Sequence, residues 1–136
     1  LARMVRERLD GVGEQVARIR QALPAIREAL RDRLRQRVQE AVENPDPERL
    51  EQELVLAAQK MDVDEELDRL ETHVAEVRRV VEKGGQVGRR LDFLMQELNR
   101  EANTLASKSV DAETTAAAVE LKVLIEQMRE QIQNIE

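Results

Sequence analysis

An apolar residue recurs every three or four positions through the first 42 residues of the chain. The stripe consists of Leu1, Val5, Leu9, Val12, Val16, Ile19, Leu23, Ile26, Leu30, Leu34, Val38 and Val42. This spacing marks one face of an α-helix, which over about 43 residues is roughly 60 Å long. Pro24 lies within the stripe and removes a helical hydrogen bond, so we expect a kink or a short break there. A helix of this length predicts a hairpin, a coiled coil or a subunit contact, because a small module cannot cover the whole stripe.

Capping and glycine signals divide the rest of the chain into further helices. Asp46 is placed to cap a helix with Pro47 at its first position, and Lys83-Gly84-Gly85 is typical of a helix end. Ser109 or Asp111 is expected to cap the last helix. The predicted helices are 2–43, 47–60, 62–83, 87–107 and 111–135, arranged as long antiparallel helices in an extended bundle or hairpin.

The apolar stripes change phase near residue 61. The second helix is expected to bury Leu50, Leu54, Ala57, Ala58 and Met61, whereas the next stripe is Val63, Leu67, Leu70, Val74, Val77 and Val81. Either the helix breaks at Met61–Asp62, where Asp62 and Glu65 resemble a capping box, or one helix changes its buried face.

The last helix has two apolar faces. Its main stripe is Ala117, Leu121, Leu124, Met128, Ile132 and Ile135, and a narrower stripe is Ala112, Ala116, Val119 and Val123. Two apolar faces on one helix predict two neighbours, of which a second subunit is a candidate.

Composition supports an all-α class with no β-sheet. The chain has one Phe, no Trp, no Tyr, three Pro and five Gly, and 37% of its residues are charged. The absence of Cys excludes disulfides and thiolate metal sites. With no membrane span or signal peptide evident, we expect a cytoplasmic protein. The chain starts at Leu1, already in helical phase, so we interpret residues 1–136 as one helical module from the C-terminal part of a longer chain. Within it, 1–44 is the long helix.

The net charge of −6 argues mildly against a nucleic-acid role through overall charge. RNA binding would then need local basic patches, and no DNA or membrane partner is expected. The Arg89–Arg90 pair is the best such patch, because arginine donates bidentately to phosphate.

The 87–107 helix carries an unusual polar side opposite its core residues. Phe93, Glu97, Arg100 and Glu101 lie away from the leucine stripe. An aromatic residue in such a place is an interface anchor or a stacking platform. The alternative is a solvated face with Phe93 at a subunit contact.

A second polar row lies on the 62–83 helix. Asp62, Glu66, Arg69, His73 and Glu76 are spaced by four and three residues, and His73 is the only histidine. Carboxylates and imidazole on facing helices can share a metal ion, which makes a set with Glu97 and Glu101 a candidate site. The alternative is a row of ion pairs, Glu66–Arg69 and Arg69–His73–Glu76.

Three runs of sequence resemble the C-terminal region of the bacterial YicC/YloC endoribonuclease family. They are LEQELVLAAQKMDVDEELDRLETHV (50–74), GRRLDFLMQELNREANTLASKS (88–109) and VELKVLIEQMREQIQNIE (119–136). The resemblance is strong over residues 45–136, whereas residues 1–44 fit only in pattern. Gln86 stands where many relatives are expected to have proline.

The resemblance implies an enzyme that cleaves structured single-chain RNA internally, with help from a divalent metal such as Mn or Mg. It also implies ring-like homo-hexamers formed with an α/β portion not present here. This part of the chain is expected to fold by itself, while activity and the full assembly depend on that portion.

With that function, roles can be predicted for the polar residues. Glu66, His73, Glu97 and Glu101 are predicted as metal ligands or acid–base groups, with His73, Glu97, Glu101 and Arg100 catalytic. Arg69, Arg89, Arg90, Phe93 and Lys108 are predicted to contact RNA, and Arg69 and Arg100 to hold phosphate charge in the transition state. The alternative function is an oligomerisation or RNA-clamp module whose chemistry lies in the missing portion.

Overall fold

The computed structural model describes residues 1–43, 46–109 and 111–134, with side chains except at 59–61. Five helices follow in order: α1 (Ala2–Glu43), α2 (Pro47–Met61), α3 (Asp64–Lys83), α4 (Gly88–Lys108) and α5 (Ala112–Gln133). Within these described ranges there is no strand. The all-α prediction is therefore confirmed, and each predicted helix boundary lies within two residues of the observed one.

Four of the helices form an antiparallel bundle. Arg20 on α1 pairs with Asp68 at 2.8 Å and Arg27 pairs with Asp64 at 2.7 Å, so α1 and α3 run in opposite directions. The same reversal joins α3 to α4, α4 to α5 and α5 to α1. Neighbouring helices pack around the square, while in the described residues the backbones of the diagonal pairs α1–α4 and α3–α5 do not approach closely. This is an up-down-up-down four-helix bundle.

The core of the bundle lies where the predicted stripes meet. Each of the four helices contributes at least one leucine with no exposed surface, such as Leu9, Leu67, Leu98 and Leu121. Full burial of a leucine side chain contributes about 1.5–3 kcal/mol relative to exposure. The stripes that predicted the helices are thus also what holds them together.

The long helix α1 runs without interruption through Pro24, so the predicted alternative of a short break is wrong. Leu30 is its last buried stripe residue, and beyond it Val38 and Val42 are 42% and 76% exposed. This extension of α1 leaves the bundle, and α2 folds back along it, with Arg37 and Glu53 paired at 3.2 Å. The hairpin prediction for the long helix is confirmed.

The predicted buried face of α2 is wrong in this chain. Leu54 is 41% exposed, Ala58 is exposed, and Leu50 and Ala57 are only partly buried; the side chain of Met61 lies outside the described residues. The physical reason is that α2 packs chiefly on the α1 extension, which is too narrow to cover a whole helix face.

The helix breaks between α2 and α3, which is one of the two alternatives that the change in phase of the apolar stripe left open. Asp62 ends α2, and Val63 precedes α3 without any side-chain cap, so the predicted capping box of Asp62 and Glu65 does not form. Acidic residues crowd the first turn of α3 instead, where they interact favourably with the helix dipole. At the other predicted caps, Asp46 and Asp111 each accept a backbone hydrogen bond.

Helix α5 has one buried face and one open face. Of its main stripe, the described residues are buried except Leu124, which is partly exposed; Ile135 lies outside the described residues. On the narrower stripe Val119 and Val123 are 54% and 44% exposed. No helix in the described ranges is both long and apolar enough to span a bilayer.

Candidate functional site

Helices α3 and α4 meet along a line of charged residues, which we call the charged seam. It comprises Glu66, Arg69, His73 and Glu76 on α3 and Arg90, Glu97, Glu101 and Lys108 on α4. The α3 residues are spaced by three and four positions and the α4 residues by four and seven, so each row stays on one side of its helix. Because the helices are antiparallel, the first residues of the α3 row meet the last residues of the α4 row.

At one end of the charged seam, Lys108 joins three segments. Its Nζ donates to the Glu66 carboxylate at 2.8 Å and to the backbone carbonyl of Asp62 at 2.8 Å. The Glu66 side chain is only 5% exposed, and its Oε2 has no hydrogen-bond partner in the described structure. A buried carboxylate is stable only when compensated, so Lys108 both neutralises Glu66 and closes the α2–α3 turn.

One turn further, Arg69 spans two carboxylates. Its Nη1 donates to Glu101 at 3.4 Å across the seam, and its Nη2 pairs with Glu65 on its own helix. The Glu101 side chain is 6% exposed, whereas Arg69 is 44% exposed. One edge of the Arg69 guanidinium therefore neutralises the buried Glu101 carboxylate, while the other edge pairs with Glu65 at the exposed surface.

The other end of the charged seam is centred on Glu76. Arg79 donates to both oxygens of this carboxylate, at 2.6 and 3.0 Å, and Arg90 donates at 3.2 Å from α4. The hydrogen bonds from Arg79 and then Arg90 lower the pKa of Glu76 below its ordinary value. The Arg90 guanidinium also lies 5.7 Å from the centre of the Phe93 ring, which is half exposed.

His73 and Glu97 occupy the middle of the charged seam. Both are partly buried, and neither forms an ion pair with any described residue. Since residue 69 pairs with residue 101 in an antiparallel register, residue 73 falls level with residue 97. The Nδ1 atom of His73 is buried without a hydrogen-bond partner among the described residues. The charged seam thus holds an imidazole and a carboxylate at one level, and neither has an ion-pair partner among the described residues.

The four predicted metal ligands are not gathered around one point in this chain. Among the residues whose positions are described, no three His, Asp or Glu side chains lie close enough to hold a metal ion. The reason is visible in the seam, because Lys108 and Arg69 already neutralise Glu66 and Glu101. The described side chains of this chain do not by themselves form a metal site, and metal assistance stays a prediction.

The other predicted RNA contacts divide into two groups. Arg89 is exposed on α4 and Phe93 is half exposed, so each is accessible to a ligand, as is the predicted catalytic Arg100. Lys108 is committed to the Glu66 contact instead and is only 26% exposed.

Sequence reasoning missed the partners of these residues. Glu65 pairs with Arg69, where the expected pairs were Glu66–Arg69 and Arg69–His73. Glu66 and Glu101 find their cations on the opposite helix, and the sequence alone does not reveal that register. The Glu65–Arg69 and Glu76–Arg79 pairs, four and three residues apart on one helix, are pairings that spacing could have indicated.

The fold and the charged seam together define an all-α module that presents polar side chains from facing helices, a common way of building sites in helical bundles. Residues 19–136 match the family model described as endoribonuclease YicC-like, C-terminal. This chain belongs to that family.

Two curated relatives extend the match over the whole chain. The probable endoribonuclease YicC of Haemophilus influenzae is 58% identical over 133 residues, covering 98% of this chain and 46% of the relative. The probable endoribonuclease YicC of Clostridioides difficile is 37% identical over 139 residues, covering 100% of this chain and 47% of the relative. The chain therefore spans about half the length of the curated relatives that it matches.

Proposed function

We propose that this chain is the helical C-terminal part of an endoribonuclease, and that the charged seam contributes to cleavage of structured RNA. The observation that carries the proposal is the way in which the charged groups of the seam are paired. Its two buried carboxylates are compensated by cations, while His73 and Glu97 lie level with each other and have no ion-pair partner among the described residues. The family to which the chain belongs supplies the class of reaction.

Four residues of the charged seam, together with Arg100 on α4, then have proposed tasks. His73 transfers a proton as general acid or base, because the two ring nitrogens of an imidazole can donate and accept a proton. Glu97 serves as its acid–base partner. Glu101 positions Arg69, and the exposed donors of Arg69 and Arg100 bind the phosphate charge that grows in the transition state.

A divalent metal such as Mn²⁺ remains part of the proposal as an assisting cation. When bound, such an ion supplies charge stabilisation and an activated water. His73 and Glu97 are the candidate ligands that no ion pair occupies in the described chain, and the other donors would come from RNA or from another part of the protein. Glu66 and Glu101 were predicted as ligands as well, but they would have to give up Lys108 and Arg69.

Cleavage of an RNA hairpin by the full-length protein, with added Mn²⁺, tests the proposal. His73→Ala and Glu97→Gln are each expected to slow cleavage by about a hundredfold or more, the usual effect of removing a general acid or base. Glu120→Gln is the matched control, since Glu120 is exposed on α5, away from the seam. Unchanged cleavage in both seam variants, with assembly intact, would contradict the catalytic assignment. Unchanged cleavage together with salt-sensitive RNA binding in both variants would indicate an RNA clamp instead.

Oligomerisation is a second candidate function, supported by the open face of α5. Val119 and Val123 are exposed valines on the same side of a helix whose other side is fully packed. We propose that this face contacts another copy in the full-length homo-oligomer, which the family resemblance suggests is a hexamer. Val119→Lys with Val123→Lys is expected to lower the mass measured by light scattering. Gln21→Lys with Gln39→Lys, at two exposed sites on α1, adds the same charge away from α5 and is the control, and an unchanged mass in the valine variant would exclude this face.

A further inference from the structure

The turn between α3 and α4 borders an open cleft beside the Glu76 end of the charged seam. Its volume is about 460 Å³, within the range of small-molecule sites. Residues that line it include Glu76, Arg79, Lys83, Gly84, Gln86 and Arg90. We call this cleft the turn pocket.

The turn pocket is positively charged although the chain is acidic. Three cations, Arg79, Lys83 and Arg90, line it against the single carboxylate of Glu76, which leaves a local charge of +2 (three minus one) in a chain of net charge −6. A concave surface lined by one sign of charge concentrates ligands of the opposite sign. The charge of the turn pocket therefore favours an anion.

Hydrogen bonds to Glu76 hold Arg79 and Arg90 in place but engage only some of their N–H donors. Arg79 donates from its Nε and from one Nη2 proton to Glu76, and Arg90 donates from one Nη2 proton to the same carboxylate. A guanidinium has five N–H donors, so three remain on Arg79 and four on Arg90. Their side chains are 74% and 54% exposed. Glu76 thus fixes both guanidiniums at an open surface, where planar donors suit a phosphate group.

Backbone groups at the turn add to the positive potential. Gly84 and Gly85 have φ of 68° and 84°, and a Cβ built on either would meet nothing within 4 Å, so the turn is open to solvent. Helix α4 starts there without a side-chain cap and without an acidic residue in its first turn. Its first N–H groups can donate to an anion, whereas its dipole is offset by that of α3, which ends at the same turn.

We propose that the turn pocket binds a phosphodiester of the RNA substrate, with the adjoining base against Phe93. The Phe93 ring lies beneath Arg90 and is half exposed, so it offers a stacking surface next to the phosphate donors. Arg79 follows His73 by six residues on α3, about 9 Å along the helix. RNA held in the turn pocket therefore passes along the charged seam. The inference rests on the proposed function for its ligand, and the two fail separately in the experiment below.

Equilibrium binding of a fluorescein-labelled RNA hairpin to the full-length protein tests this inference. The probe carries 2′-O-methyl riboses and is used without Mn²⁺, and a gel confirms that it stays intact. Arg79→Gln with Lys83→Gln is expected to weaken binding about tenfold and to lower the slope of log K against log salt by about one to two. Arg35→Gln with Lys122→Gln, at two exposed sites on α1 and α5, removes the same charge and is expected to change affinity less than about twofold.

Two further variants keep the outcomes distinct. Lys83→Gln alone guards against misfolding, since Lys83 has no ion pair with the described residues, and it is expected to weaken binding about threefold. His73→Ala is assayed for cleavage, which tests the catalytic assignment separately from binding. Native affinity and salt slope in the Arg79–Lys83 variant would overturn the turn-pocket inference even if His73→Ala abolishes cleavage. Weak RNA binding by the Arg79–Lys83 variant, with full cleavage by His73→Ala, would support the turn-pocket inference and overturn the catalytic assignment of His73.

Discussion

Lys108 is a single residue on which three segments depend. Its ammonium group is bonded to the nearly buried Glu66 carboxylate and to the carbonyl of Asp62 at the α2–α3 turn. Lysine in a last helical turn is an ordinary feature, favoured by the helix dipole. Its particular value here comes from the opposite helix, which supplies a carboxylate that water does not reach.

Removing Lys108 should be costly because it leaves a buried charge behind. Lys108→Met is expected to lower the free energy of unfolding by about 2–4 kcal/mol, the size seen when one partner of a buried pair is lost. Urea denaturation measures this change. Adding Glu66→Gln to the variant should restore much of the loss, since the uncompensated carboxylate is then gone. A single variant as stable as the native protein would show that water already solvates Glu66.

Glu76 predicts a pH dependence of stability with a definite sign. Its pKa is lowered by the hydrogen bonds from Arg79 and Arg90, so the carboxylate stabilises the fold above the ordinary glutamate value of 4.5. That contribution is lost as the pH falls through the lowered pKa of the folded state. The Tm difference between the native protein and Glu76→Gln should therefore be largest near about pH 6.5 and shrink towards about pH 3. Glu120→Gln should show no such trend, and a difference that grows on acidification would contradict the pairing.

At the scale of helices, most of the structure could be predicted because its determinants are local. Stripe spacing, the Asp46 and Asp111 caps and the glycines after α3 all act within a few residues. The buried face of α2 could not be predicted, since burial depends on which neighbour is available. Leu54 has the right spacing to be buried but lacks a neighbour to cover it within this chain.

Pro24 allows a direct test of the continuity of α1. The helix continues through it, although a proline there lacks the N–H that would bond to the carbonyl of Arg20. Because Pro24 is exposed, Pro24→Ala should restore that bond without disturbing the core, and stability should rise by about 1–3 kcal/mol. Pro47→Ala, at the first turn of α2, is the control and should change stability by less than about 1 kcal/mol. A destabilised Pro24→Ala protein would show that α1 depends on the local geometry of proline.

At the scale of the whole molecule, the bundle sets the register that turns separate residues into a candidate site. The sequence supplied the residues of the charged seam and their rows, but not their partners. Whether Glu101 meets a metal or Arg69 depends on how α4 slides against α3, which no local pattern specifies. The turn pocket was missed for the same reason, since Lys83 and Arg90 meet only after the chain reverses.

The most direct test of the catalytic seam is a double-mutant cycle on RNA cleavage by the full-length protein. The four species are the native protein, His73→Ala, Glu97→Gln and the double variant, compared at equal Mn²⁺ concentration. If the two residues serve one proton-transfer step, each single variant loses about a hundredfold or more in rate, and the double variant loses little beyond the slower single. Single-variant rates within about twofold of native would contradict the proposed role of the charged seam.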